Sequence, residues 1–219
     1  MTSLQAAPRQ TPPARTLPFA LTVFAGAFLL FQVQPLLGRY VLPWFGGSPS
    51  VWTTCVLFFQ VVLLAGYAYA HGVAAWATPR RQAQAHGVLL LAAAATLPIV
   101  PSATWQPDPT GSPTLRVLLL LLATVGLPAF VLSATGPLVQ KWHAQVAPSR
   151  PAYRLYALSN AGSLLALLSY PVVFEPVWSR PQQAWAWSAG FVAFAALAGW
   201  CAWEMARAGH ADGVDGVDG

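Results

Sequence analysis

Six apolar runs, each close to the length of a membrane-crossing helix, divide this sequence and leave little else to fold. They cover residues 19–42, 51–76, 84–100, 115–139, 153–177 and 184–206. A helix rises about 1.5 Å per residue, so about 20 apolar residues cross the roughly 30 Å hydrocarbon layer of a bilayer. Backbone N–H and C=O groups find no water there, and a helix pairs them internally. The expected fold class is therefore all-α, an integral membrane six-helix bundle over residues 18–207. The third run is the shortest. It ends at Pro98 and Pro101, where a loop rich in proline (Pro107, Pro109, Pro113) begins.

Charge supports lipid as the main solvent. The chain has 11 Lys and Arg and 6 Asp and Glu in 219 residues, 8% charged against 56% hydrophobic, where soluble domains carry about 25% charged residues. The formal net charge of +5 comes with no basic run or nucleic-acid motif, so no nucleic-acid partner is expected. With the N-terminus inside, Arg9, Arg15, Arg80, Arg81, Lys141, Arg150, Arg154 and Arg207 fall on the inner side. Only Arg39, Arg116 and Arg180 fall outside. That bias predicts a multi-pass protein of the cell inner (plasma) membrane with both termini cytoplasmic. Trp44, Trp52, Trp76, Trp105, Trp142 and Trp178 sit near span ends, where an amphipathic ring prefers the interface.

Two segments flank the bundle. Residues 1–17 read as a disordered cytoplasmic leader. Residues 208–219, with their Asp-Gly-Val repeat, read as a disordered acidic tail. The first run lacks a small-residue cleavage site and is expected to be a retained helix rather than a signal peptide.

The sequence offers no catalytic constellation: no Gly-x-Ser-x-Gly elbow, no dinucleotide fingerprint, no paired acids suited to hydrolysis. A non-enzyme is expected. Cys55 and Cys201 lie inside apolar runs and read as buried hydrophobes. No Cys/His spacing suggests a metal, and no cofactor is expected. His71, His86, His143 and His210 fall near cytoplasmic ends and read as interfacial. Gly46-Gly-Ser-Pro-Ser50 reads as a tight turn that caps the second helix with Ser48 or Ser50.

Polar groups at membrane depth are costly unless paired, so each needs a partner or a task. Gln32, Gln34 and Arg39 on the first helix, Gln60 on the second and Glu175 on the fifth are expected to converge as an outer cluster. Glu175 would then meet Arg39 or Arg180. Two readings of Glu175 stand: a site for a small cation, or an interfacial ion pair without a transport role. An inner set comprises Ser133, Thr135, Ser159, Asn160 and Ser163. It serves either to pack helices or to line a pathway, and Pro137 is expected to kink the fourth helix.

The first and fourth helices also align without gaps. Ala27-Phe-Leu-Leu-Phe-Gln-Val-Gln-Pro-Leu-Leu-Gly-Arg-Tyr40 matches Ala129-Phe-Val-Leu-Ser-Ala-Thr-Gly-Pro-Leu-Val-Gln-Lys-Trp142, and the same offset places Pro49 on Pro151. A repeat of three helices inverts its topology, and 3+3 inverted repeats build many transporters. Six helices then amount to one half of a twelve-helix unit, with a homodimer or another partner supplying the rest.

Three stretches carry a family resemblance. Residues 34–60, from Gln34-Pro-Leu-Leu-Gly-Arg through Pro43-Trp-Phe-Gly-Gly-Ser-Pro-Ser to Gln60, are one, together with Leu64-Ala-Gly-Tyr-Ala-Tyr-Ala-His71. The others are Gly126-Leu-Pro-Ala-Phe-Val-Leu-Ser-Ala-Thr-Gly-Pro-Leu-Val-Gln140, and Tyr156-Ala-Leu-Ser-Asn-Ala-Gly-Ser163 through Pro171, followed by Glu175-Pro176. In order, over roughly residues 18–200, they resemble the membrane domain of bacterial fused major-facilitator/spermidine synthases. The resemblance implies half of a major-facilitator-like fold and an association with polyamines. In that family a soluble aminopropyltransferase-like domain usually follows, and it is expected to be missing here. Two functions follow as expectations. One is a transporter-like protein that moves or binds a polyamine or other small cation, with Glu175, Gln32, Gln34, Gln60, Arg39 and Asn160 as candidate residues. The other is a non-catalytic anchor for a separately encoded synthase-like enzyme.

Overall fold

The computed structural model describes residues 16–107, 112–148 and 153–214, with the side chains of the last helix as far as Ala208. These residues form helices and no strand: α1 (Thr16–Phe45), α2 (Pro49–Trp76), α3 (Pro79–Ala95), α4 (Pro113–Val146), α5 (Tyr153–Val177) and α6 (Arg180–Val214). A 3₁₀ turn, Ala103–Trp105, lies between α3 and α4.

A hydroxyl followed by proline starts three of the helices. Ser48 accepts from the Val51 N–H at 3.4 Å, Thr78 from Arg81 at 3.5 Å and Ser112 from Leu115 at 3.5 Å. The proline that follows each lacks an N–H that would be orphaned anyway. Of the two serines expected to cap α2, Ser48 does so. At the start of α6, the Gln182 side chain accepts from both the backbone N–H and the hydroxyl of Ser179, each at 2.9 Å, a variant of the capping box.

These signals shift the third helix. Thr78-Pro79 starts it before residue 84, and it stops at Ala95. There the Thr96 hydroxyl turns back to the Ala93 carbonyl at 2.7 Å, and Pro98 removes the next donor. Its 17 residues reach only about 26 Å. The other five helices are long and apolar enough to cross a membrane; α3 is shorter and packs against α4 and α6. At the far end, α6 continues past residue 206 to Val214, into the stretch expected as a tail. Residues 1–15 of the leader, Arg150, Pro151 and residues 215–219 lie outside the described residues.

Proline also shapes α4 and α5. Leu122–Gly126 and Tyr170–Phe174 each form a wider π-type turn. Pro128 and Pro176 follow these turns, and a proline both lacks the donor and crowds the carbonyl four residues back. An extra residue in the turn relieves that conflict. In α5 the Glu175 N–H accordingly reaches the Tyr170 carbonyl. Leu127–Val146 continues as one helix with Pro137 inside it.

α1 and α4 form the centre. Val33, Leu36, Leu37 and Val41 of α1 and Val125, Ala129, Val131 and Leu138 of α4 are buried. α1 packs against α5, α6 and α4, and α2 packs against α4. Two glycines set the closest approaches. A Cβ on Gly66 would lie 2.6 Å from the Ser133 Cβ, and one on Gly162 would lie 2.6 Å from the Phe24 carbonyl oxygen. Small residues at such crossings let helix backbones touch, the usual means of association where lipid removes the hydrophobic drive. Leu164, Leu168 and Val172 of α5 and Val61 and Leu64 of α2 point away from the bundle, as suits faces turned to lipid.

Candidate functional site

The C-terminal ends of α1 and α5 meet the start of α6, and polar side chains gather there. Arg39 Nε lies 3.8 Å from Glu175 Oε1, and its Nη1 donates to the Glu175 backbone carbonyl at 3.4 Å. Arg180 donates to the Arg39 carbonyl at 3.2 Å, and its guanidinium stacks 5.2 Å from the centre of the Tyr40 ring. The Glu175 carbonyl lies in the last turn of α5 and the Arg39 carbonyl faces Pro43, which has no N–H to offer, so neither has a partner within its own helix and each can take a cation. The Arg39–Glu175 pair expected from the sequence is therefore present, but it is loose. The two side chains remain 30% and 47% exposed, and the firmer bonds of both arginines go to backbone.

Behind this pair lies a tighter group. Tyr170 donates to Gln183 Oε1 at 2.9 Å, and Gln183 Nε2 donates to the Phe174 and Trp178 carbonyls at 3.0 and 2.8 Å. Gln183 thereby holds the end of α5, opened by its π turn, against α6. An open pocket of about 750 Å³ sits over the site, lined by Arg39, Glu175, Arg180, Trp52 and Tyr170 among others.

The other candidates do not join it. Gln32 is buried and faces a separate cavity between α1 and α6. Gln34 bonds back to the Leu30 carbonyl at 3.4 Å and lies on the α2 side of α1, near Trp52 and Cys55. Gln60 is exposed on α2. Asn160 is exposed on α5, about 22 Å along the helix from Glu175 at 1.5 Å per residue. Five candidate residues from α1, α2 and α5 were expected to converge; the structure brings together Arg39 and Glu175. The reason is angular. Gln32 and Gln34 are two residues apart, which places them about 200° apart around the helix, on different faces.

A second polar group lies inside the other end of the bundle. His86 Nε2 is 2.9 Å from Thr135 Oγ1. The Trp142 indole donates to Gln82 Oε1 at 2.9 Å, and Gln82 Nε2 donates to the Ala77 carbonyl at 2.8 Å. The Thr135 hydroxyl itself donates to the Val131 carbonyl, so it accepts from His86. His86, Trp142 and His143 are buried, which corrects the interfacial reading of His86, His143 and Trp142. His71 is exposed, as an interfacial residue should be. Gln82 and His86 are one helical turn apart on α3, a spacing that puts both on one face and that was visible in the sequence. Of the inner set, Ser133 and Thr135 bond to their own helix and are buried, while Ser159, Asn160 and Ser163 lie on α5, where Asn160 is exposed and the Ser163 hydroxyl donates to the Asn160 carbonyl.

Cys55 and Cys201 are free and buried. No group of three metal-ligating side chains occurs among the described residues.

A helical bundle with five membrane-length apolar helices and polar groups gathered near helix ends defines the class, a multi-pass membrane protein. The chain matches no protein-family model, no curated protein and no solved structure.

Proposed function

We propose that the chain is a transporter-like, non-enzymatic membrane protein. In this reading it is half of a major-facilitator-like unit built as a 3+3 inverted repeat, and it binds or moves a polyamine or other small cation at its outer end. The sequence resemblance to the fused major-facilitator/spermidine synthases suggests the cargo. Helix packing supports the repeat. Exchanging α1 with α4, α2 with α5 and α3 with α6 turns the α1–α5 contact into α4–α2, and α1–α6 into α4–α3; all four contacts occur. The α1–α4 and α3–α6 contacts map onto themselves. The α4–α6 contact has no comparable counterpart between α1 and α3.

The observation that carries the function is Glu175. It is a half-exposed carboxylate in an open pocket with the aromatic rings of Trp52 and Tyr170. A carboxylate beside aromatic faces is the chemistry that recognises an ammonium group. Arg39 and Arg180 outnumber it, so an amine gains only by taking Glu175 from Arg39. The 3.8 Å separation exceeds hydrogen-bond length, which makes that exchange cheap.

Spermidine binding and uptake by the purified protein in proteoliposomes test the reading. Saturable binding or uptake is expected, falling about tenfold or more in Glu175→Gln. Absence of both, with a soluble synthase-like enzyme co-purifying from the native membrane, would favour the anchor instead. Arg80, Arg81, Lys141, Arg150 and Arg154 would then form the docking face.

A further inference from the structure

A second site, independent of the function proposed above, lies between α1 and α6. The end of α5 walls one side of a half-open cavity of about 390 Å³ there, within the size range of small-molecule pockets. Seven of its sixteen lining residues are aromatic, among them Phe28 of α1, Phe174 and Trp178 of α5, and Trp187 and Phe194 of α6, and most of the rest are aliphatic. Gly190 keeps α6 thin opposite α1, since a Cβ there would come within 3.2 Å of Leu29. Trp187 is fixed by donating its indole N–H to the Leu29 carbonyl at 2.9 Å, so the cavity is held open by a pinned ring rather than by a mobile one. No carboxylate, lysine or arginine lines it.

Of its polar lining residues, Tyr170 and Gln183 are bonded to each other. Gln32 differs. It is 94% buried by its exposure of 6%, and its amide nitrogen has no hydrogen-bond partner. Buried amides are nearly always paired, and an unpaired one invites an explanation. Gln32 lines the cavity, and an acceptor seated against it would pair that N–H. We propose that this cavity binds a neutral, largely aromatic lipophile carrying one hydrogen-bond acceptor, such as a ketone or quinone-type carbonyl, which takes the Gln32 N–H. A polyamine finds no counter-charge here. A lipid acyl chain would fill space but leave Gln32 unpaired.

Benzophenone is a suitable probe, being neutral, aromatic, a single acceptor and photoreactive. The protein in phosphatidylcholine nanodiscs is irradiated with increasing benzophenone, and adducts are mapped by mass spectrometry. Saturable adducts on α1 and α6 around Gln32 and Trp187 are expected. Gln32→Leu should raise half-saturation about five- to tenfold, the loss of one neutral hydrogen bond. Ala193→Phe, which fills the cavity from its rim, should abolish those adducts. Diphenylmethane, the same shape without the carbonyl, should compete at least fivefold more weakly than unlabelled fluorenone on the unmodified protein. That comparison needs no variant to fold. The proposal is overturned if labelling rises without saturation over Leu164, Leu168 and Leu64, or if diphenylmethane competes as well as fluorenone.

Discussion

Arg39 and Lys141, which occupy matching places in the aligned stretches of α1 and α4, make the same contact with different helices. Arg39 donates to the carbonyl of Glu175 in the last turn of α5 at 3.4 Å, and Lys141 donates to the carbonyl of Ala74 in the last turn of α2 at 2.8 Å. Their neighbours Tyr40 and Trp142 are both buried. Each cation thus caps the helix that its own helix packs against. A side chain that ties one central helix to the orphan carbonyls of its partner fixes their relative height, which apolar packing alone leaves loose.

Removing either cation should loosen the corresponding pair. Lys141→Met leaves the stem and deletes the donor, with a cost of about 1–2 kcal/mol. Thermal unfolding followed with a thiol-reactive dye suits this protein, because Cys55 and Cys201 are buried in the folded state. A fall of about 2–4 °C per kcal/mol is expected, and Arg39→Met should behave similarly.

Gly66 and Gly162 give a sharper stability test. A methyl group at either position would meet atoms of α4 or α1 at 2.6 Å. Gly66→Ala and Gly162→Ala should each destabilise by about 1–3 kcal/mol. Gly87→Ala, where a Cβ meets nothing within 4 Å, should be neutral or slightly stabilising. The dye assay distinguishes the two groups.

Gln82 and Trp142 should be energetically coupled. Gln82→Leu leaves the buried indole N–H without an acceptor, at about 1–3 kcal/mol. Trp142→Phe removes the donor and a large ring together. A double-mutant cycle should give a coupling of about 0.5–1.5 kcal/mol. Additive single-variant losses would show that the 2.9 Å contact contributes little.

Arg39→Gln separates the two readings of the outer pocket. It frees Glu175 and lowers the local positive charge, so spermidine binding should tighten several-fold. An unchanged affinity would mean that Glu175 serves the helix contact alone.

Much of this fold was legible in the sequence. Apolar runs located α1, α2, α4, α5 and most of α6 because lipid imposes a length that a run either has or lacks. Hydroxyl-proline pairs such as Thr78-Pro79 carried the start of α3 as well, but apolarity alone placed it later, at residue 84. Distances along a helix were readable, and so Arg39 and Glu175 fell at one end together. Angles around it were harder. Spacing alone separates Gln32 from Gln34 around α1, but which of the two faces turns inward, and where Gln60 of α2 faces, is decided by the neighbouring helices. His86 and Trp142 were read as interfacial from their position near a helix end, yet lateral packing among α2, α3 and α4 buries them. The π turns before Pro128 and Pro176 depend on how the chain relieves a local clash, which a residue pattern does not reveal.

The account stands on a chain that crosses the bilayer at α3 as well as at its five longer helices. Single cysteines at Gly47, Thr78, Thr104 and Ser179, in a Cys55→Ala/Cys201→Ala background, can be labelled on intact cells with a membrane-impermeant maleimide. Labelling at Gly47, Thr104 and Ser179 with protection at Thr78 is the expected result. Protection at Thr104 with labelling at Gly47 would contradict it, because α3 would then return to the side it started from and leave an odd number of crossings.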